Sequence, residues 1–158
     1  MSSLIDNLLS QSAHGAIAMD RVVSEFSPAE IRQTIADLVA RDRIDLANAL
    51  SDAGISLYPN SEDILAISAL LAEIQRDWTT AEQLLTHLIE LQGDAATPFS
   101  WRHLIRVQRC HCEPGKALLS ARKAAQQHPH DADLAEELLD LESLVADSNV
   151  FEAPARAQ

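Results

Sequence analysis

"RDRIDLANAL", residues 41–50, decides how this chain is read, because its pattern returns twice. "RDWTTAEQLL" stands at 76–85 and "CEPGKALLSA" at 112–121. In each, a short polar turn leads into an alanine and an apolar helical stretch, with the alanines at Ala47, Ala81 and Ala117. The gaps are 34 residues (81 − 47) and 36 residues (117 − 81). A period of about 34 residues is that of a helix–turn–helix repeat. A small residue at a fixed place in each unit has a physical cause, since two closely crossing helices leave no room for a large side chain. The period therefore predicts an all-α stack of about three helical hairpins. Such stacks present extended surfaces, which suit binding better than reaction.

Each hairpin has its own start and stop signals. Ser27-Pro28-Ala29-Glu30 predicts a capped helix start, with Pro28 in the first turn and Glu30 three residues after the serine. Ile31, Ile35, Leu38 and Val39 follow at helical spacing, and a second helix runs from about Leu46 to Leu57. Pro59-Asn60 closes that unit, and Ser61-Glu62-Asp63 caps the next. Ile64, Leu65, Leu71, Ala72 and Ile74 are its apolar positions, followed after "QRDWT" by Leu84, Leu85, Leu88 and Leu91. Gly93-Asp94 ends that helix, and "AATP" lengthens the loop by the two residues that separate 34 from 36. The third unit begins near Pro98, turns at Glu113-Pro114-Gly115, continues from about Lys116 to Gln127, and closes at His128-Pro129. Pro59 and Pro129 each lie twelve residues after their alanines, which supports the same register independently. A last helix from Asp131 to about Val145 carries acids at Glu136, Glu137, Asp140 and Glu142, as the polar outer side of a capping helix does.

The expected organisation is thus an N-terminal helical extension at 1–26, a helical repeat domain with its capping helix at 27–146, and a disordered tail at 147–158. The extension has leucines and isoleucines that either bury themselves on the repeats or support a homodimer or heterodimer. Its opening, "MSSLIDNLLS", lacks a basic stretch and carries Asp6, which argues against a secretory leader. No run approaches the ~20 apolar residues of a bilayer span. Lys and Arg number 12 against 24 Asp and Glu, a formal charge of −12 that opposes phosphate backbones and anionic membranes. Nucleic acid and membrane are therefore excluded as expected partners, and the two cysteines, Cys110 and Cys112, provide no disulfide framework. The expected location is cytoplasmic.

The register resembles the tetratricopeptide repeat over residues 28 to roughly 131. A large residue sits in the first helix at Trp101, more weakly at Ile31 and Leu65. Small residues stand where helices cross, at Ala47, Ala69, Ala81, Ala117 and Ala124, with Gly54 in the first unit. Pro59 and Pro129 fill the common exit proline. Leu88 and Gly93 depart from the pattern, and its usual first-helix glycine and tyrosine are missing. The resemblance implies a right-handed superhelix whose concave face, made by the first helix of each unit, takes a protein or peptide segment. It places Arg32, Ala36 and Val39 on that face from the first unit, then Asp63, Ala66, Leu70, Glu73 and Ile74, then Phe99, Arg102, Arg106 and Arg109. The partner-binding set expected is Arg32, Ala66, Leu70, Ile74, Phe99, Arg102, Arg106 and Arg109. Ala36 stands where a carboxylate clamp wants asparagine, so that clamp is not expected.

Arg102, Arg106 and Arg109 are spaced four and three apart and share one helix face. Two arrangements fit them: a groove that takes carboxylates of an amphipathic or extended segment, or pairing with local acids across the stack. Cys110-His111-Cys112, with His103 nearby, has poor spacing for zinc, since ligands two apart on a helix face different ways. No metal, cofactor or catalytic site is expected. The layout also resembles the small acidic chaperones of bacterial type III secretion systems. The function expected is a non-catalytic adaptor or chaperone. The alternative is a structural scaffold subunit of a larger bacterial secretion or pilus assembly, docking through residues 1–26.

Overall fold

The computed structural model describes residues 4–6 and 23–151, and among them every regular element is helical. The elements are α1 (Pro28–Ala40), α2 (Ile44–Leu57), α3 (Glu62–Ile74), α4 (Trp78–Gln92), a 3₁₀ turn (Gly93–Ala95), α5 (Pro98–Cys110), α6 (Pro114–Gln127) and α7 (Ala132–Phe151). Three helical hairpins, α1–α2, α3–α4 and α5–α6, are followed by α7. The alanine period is a packing rule: Ala47, Ala69, Ala81, Ala117 and Ala124 all have no exposed surface. Gly54 extends the rule. A Cβ there would come within 3.3 Å of Ile64 and 3.4 Å of Ile31, so its absence permits the approach of α1, α2 and α3.

Four capping side chains start the first helices and α7. Ser27 Oγ accepts the Glu30 amide at 3.3 Å while Glu30 reaches back to the Ser27 amide at 2.9 Å, the reciprocal box expected. Ser61 Oγ accepts from the Ile64 amide at 3.5 Å, Thr97 Oγ1 from Ser100 at 3.1 Å, and Asp131 Oδ1 from Leu134 at 2.9 Å. Each such cap contributes about 0.5–2 kcal/mol by satisfying an orphan amide.

The turn inside each hairpin has one geometry. Asp42, Arg76 and Cys112 have φ of 57°, 60° and 60°, and each lies five residues before its alanine. The amide after each bonds the carbonyl five residues back: Arg43 to Leu38, Asp77 to Ala72 and Glu113 to Gln108, all at 2.9 Å. These are left-handed helix stops of the kind glycine usually occupies.

The exits of the first and third hairpins match over a shift of 70 residues. Tyr58 and His128 have φ, ψ of −130°, 61° and −125°, 66°. Tyr58 Oη donates to the Phe26 carbonyl at 2.9 Å, and His128 Nε2 donates to the Ala96 carbonyl at 2.7 Å. Each side chain ties the end of its hairpin to the residue before that hairpin's cap. The second hairpin leaves differently: Gly93, where proline stands in the other two, has φ of 52° and opens the 3₁₀ turn.

Two compact units divide the chain, Met1–Leu91 and Gln92–Gln158. The division falls beside Gly93, at the exit that departs from the repeat. In the first unit α1 packs on α2 and α3, and α2 on α3. Its core holds Ile31, Ile35, Leu38, Leu50 and Ile64, together with Leu4, Ile5 and Val23 from the N-terminal extension. Those three are therefore buried in their own chain; the expectation for residues 1–3 and 7–22 lies outside the described residues. In the second unit α6 packs between α5 and α7.

Three helix ends differ from expectation, the first being α2, which starts at Ile44 rather than near Leu46. α6 starts at Pro114 rather than near Lys116, because proline suits the first helical position and the Ala117 amide reaches the Glu113 carbonyl at 3.1 Å. α7 runs to Phe151, past Val145, since no glycine or proline interrupts the chain before Pro154. Residues 147–151 of the expected disordered tail are thus helical, and 152–158 lie outside the described residues.

Candidate protein-binding site

α5 carries the arginine stripe, and helical spacing turns Arg102, Arg106 and Arg109 to one side while Trp101, Leu104 and Ile105 are buried on the other. The three arginines line a cavity of about 440 Å³ with Phe99, His103, Cys110 and Glu137, all within the second unit. Phe99 is 78% exposed, a large apolar surface for a residue one turn before Arg102. Its ring lies 6.4 Å from that of buried His103, inclined by 56°.

Two of the arginines are held by acids of α7. Arg102 Nη1 lies 2.8 Å from Asp133 Oδ2, and Arg109 Nη1 lies 3.3 Å from Glu137 Oε1. Pairing with local acids, one of the two arrangements open to sequence, is therefore present. It does not remove the other. Arg102 and Asp133 remain 50% and 65% exposed, and an ion pair of such exposure contributes only ~0–1 kcal/mol, whereas Glu137 beside Arg109 is 19% exposed. The carboxylates of α7 orient the guanidinium groups.

The other expected residues belong to the first unit. Arg32 on α1 pairs with Asp63 on α3 at 3.4 Å, so two residues assigned to the same face meet each other. Ala66 is half-buried on α3, and Leu70 and Ile74 farther along it are 41% and 50% exposed. The eight residues are thus shared between two units, and the structure gathers Phe99, Arg102, Arg106 and Arg109 in one cavity.

A second cavity, of about 380 Å³, lies within the first unit and was not legible in the sequence. Asn48 and Gln75 on its wall exchange amide hydrogen bonds at 3.0 and 2.9 Å, and Ser51 donates to Ser68 at 2.7 Å. These partners stand 27 and 17 residues apart in sequence, and no local pattern announces them. The Cys110-His111-Cys112 run ends α5. Both thiols are free and exposed, Cys112 occupies the left-handed turn, and His111 Nδ1 sits 3.9 Å from Glu113.

A family model described as Tetratricopeptide repeat matches residues 8–141. The chain belongs to the tetratricopeptide repeat family. The match reaches further toward the N-terminus than the 28–131 assigned from sequence, in keeping with Val23 joining the core. Solved structures are similar in fold to this tetratricopeptide protein. One is the N-terminal domain of stress-induced protein-1 (STI-1) from C. elegans, at 11% identity and a TM-score of 0.61 over 80% of this chain and 99% of that one. Another is the APC/C hetero-tetramer Cut9–Hcn1, at 15% identity and a TM-score of 0.57 over 90% of this chain. This chain spans 30% of the length of the chain it matches there. No curated protein matches the sequence. Tetratricopeptide folds are in general protein–protein interaction modules without catalytic activity. Among the described residues, no helix is long and apolar enough to cross a membrane.

Proposed function

We propose that this tetratricopeptide protein is a non-catalytic adaptor or chaperone that holds a segment of a partner protein against α5. The observation that carries the reading is the cavity lined by three arginines and, at the start of their stripe, an exposed phenylalanine. Such a surface suits a segment that alternates carboxylates with apolar side chains. The carboxylates take the guanidinium forks, and Phe99 leaves water on contact with the apolar residues. The proposed ligand is therefore an acidic amphipathic or extended segment, bound in the cytoplasm. A role as a secretion chaperone, shielding such a segment before export, fits the size and acidity of the chain. The scaffold reading depends on residues 1–26 as a docking element and has less support, because Leu4, Ile5 and Val23 are consumed by the core of their own unit.

The test is comparative capture from the native cell. Wild type and Arg102→Glu/Arg106→Glu are used as baits at equal loading, and bound proteins are identified by mass spectrometry. A partner retained by the wild type and lost by the double variant supports the reading. Identical captures from both baits refute it. Both arginines are exposed, so the variant keeps its fold, which circular dichroism checks.

A further inference from the structure

The contact between the second helix of a hairpin and the helix after it occurs in both units, α2 with α3 and α6 with α7. The shift of 70 residues compares the two position by position. On α6 and α7 the positions hold Leu118, Ala121 and Leu138, and Arg122 Nη2 meets Glu142 Oε1 across the helices at 3.3 Å. On α2 and α3 they hold Asn48, Ser51, Ser68, Asp52 and Ala72, and all five line the cavity of about 380 Å³. Stacking does not ask for the polar residues among them, because the second unit makes the same contact with Leu118, Ala121 and Leu138.

Ser51 and Ser68 are 5% and 3% exposed. Burying a hydroxyl costs free energy unless it is hydrogen-bonded. Ser68 accepts the Ser51 proton at 2.7 Å, and its own proton has no acceptor among the described residues. A buried donor is thus left on the cavity wall. Asp52 stands where the second unit has Arg122, and Ala72 where it has Glu142. The exchange leaves an acid with no charge opposite it, and among the described residues Asp52 has neither hydrogen bond nor ion pair. Asp77 lines the same cavity, and hydrogen bonds from Thr80 hold its carboxyl below the usual range, so it is ionised. No lysine, arginine or histidine is among the described residues that line it.

We infer that this cavity binds a lysine-bearing segment of a partner protein. The ammonium pairs with Asp52 and Asp77, and a carbonyl of the segment accepts the Ser68 proton. The methylene stem lies on Ile55 and Leu71, which also line the cavity. Lysine fits better than arginine. A planar guanidinium matches one carboxylate bidentately, whereas the three ammonium donors reach acceptors in several directions. The ligand is opposite in charge to the one proposed for α5, and the inference does not depend on that reading.

The test is a nuclear magnetic resonance titration of the full chain, read at the side-chain amides of Asn48 and Gln75, which line the cavity. The probes are the blocked pentapeptide Ala-Gly-Lys-Gly-Ala, the same peptide with norleucine for lysine, and diaminopentane. The lysine peptide shifts both amides saturably and binds at least about tenfold more tightly than the norleucine peptide. Asp52→Asn weakens that binding by about fivefold or more. Glu90→Gln, at an exposed acid of α4 outside the cavity, leaves it within about twofold. Equal binding of the two peptides, or an unchanged affinity in Asp52→Asn, overturns the inference. So does diaminopentane binding as tightly as the lysine peptide, which assigns the site to a free amine that needs no carbonyl. Asp52 is exposed, so its replacement leaves the fold intact, and a thermal melt confirms it.

Discussion

The first unit carries 14 acidic residues against 5 basic ones, a formal −9; the second carries 10 against 7, a formal −3. Their backbones nonetheless repeat one another. Ser27 and Thr97 cap, Pro28 and Pro98 open the helix, and Tyr58 and His128 tie back to Phe26 and Ala96, all over the same shift of 70 residues. The hairpin is specified by small, capping and buried residues, so the outward positions are free to differ. The first unit turns Asn48, Gln75 and two serines to its cavity, and the second turns three arginines. Architecture and surface chemistry are written in separate sets of residues.

Breaking the buried set gives the largest effect. Ile105→Ala removes a fully buried side chain and costs about 2–5 kcal/mol in urea unfolding. Leu139→Ala, at the same register position of α7, costs less than about 0.5 kcal/mol because its side chain already meets water. Equal costs at the two sites would show that the Leu139 side chain is buried in solution.

The turns come next. A non-glycine residue in the left-handed region costs about 1–2 kcal/mol, and glycine gives back about 0.5–1 of that through its freer unfolded chain. Arg76→Gly and Cys112→Gly are therefore expected to stabilise by about 0.5–1 kcal/mol. Gly93→Ala, at φ of 52° with open space around its Cβ, loses about 1 kcal/mol from strain alone. Calorimetric melts of the three variants separate the signs.

The smallest effect is a pH dependence seated in the first unit. Hydrogen bonds from Ser27 hold the Glu30 carboxyl below its usual range, those from Thr80 do the same for Asp77, and the Arg43 side chain for Asp45. A carboxyl depressed in the folded state stabilises fully above its unfolded pKa of about 4, and that contribution is lost as pH falls through the lower folded value. Melting temperature is thus expected to decline more gently below about pH 4 in Glu30→Gln than in wild type. A parallel decline in both proteins contradicts the assignment.

The period, the caps and the exit prolines were legible because each is a short-range requirement. A close crossing needs alanine, an orphan amide needs a hydroxyl or carboxylate, and a helix stop tolerates proline. Gly93 was visible in the same way as the break in the pattern. Two of the left-handed turns were hidden, since Arg76 and Cys112, unlike Asp42, are not residues that favour such turns. Their shared offset of five before each alanine was the available signal. The arginine stripe was visible from its spacing, but its partners were not. Asp133 and Glu137 lie 31 and 28 residues from the arginines they hold, and only the packing of α6 between α5 and α7 unites them.

Isothermal titration asks whether α5 holds partner carboxylates, as proposed. The titrant is a 14-residue peptide alternating glutamate and leucine, added to wild type and to Arg102→Glu/Arg106→Glu at one fixed salt concentration. Saturable one-to-one binding to the wild type is expected, and at least about tenfold weaker binding to the variant. Affinities within about twofold of each other contradict it.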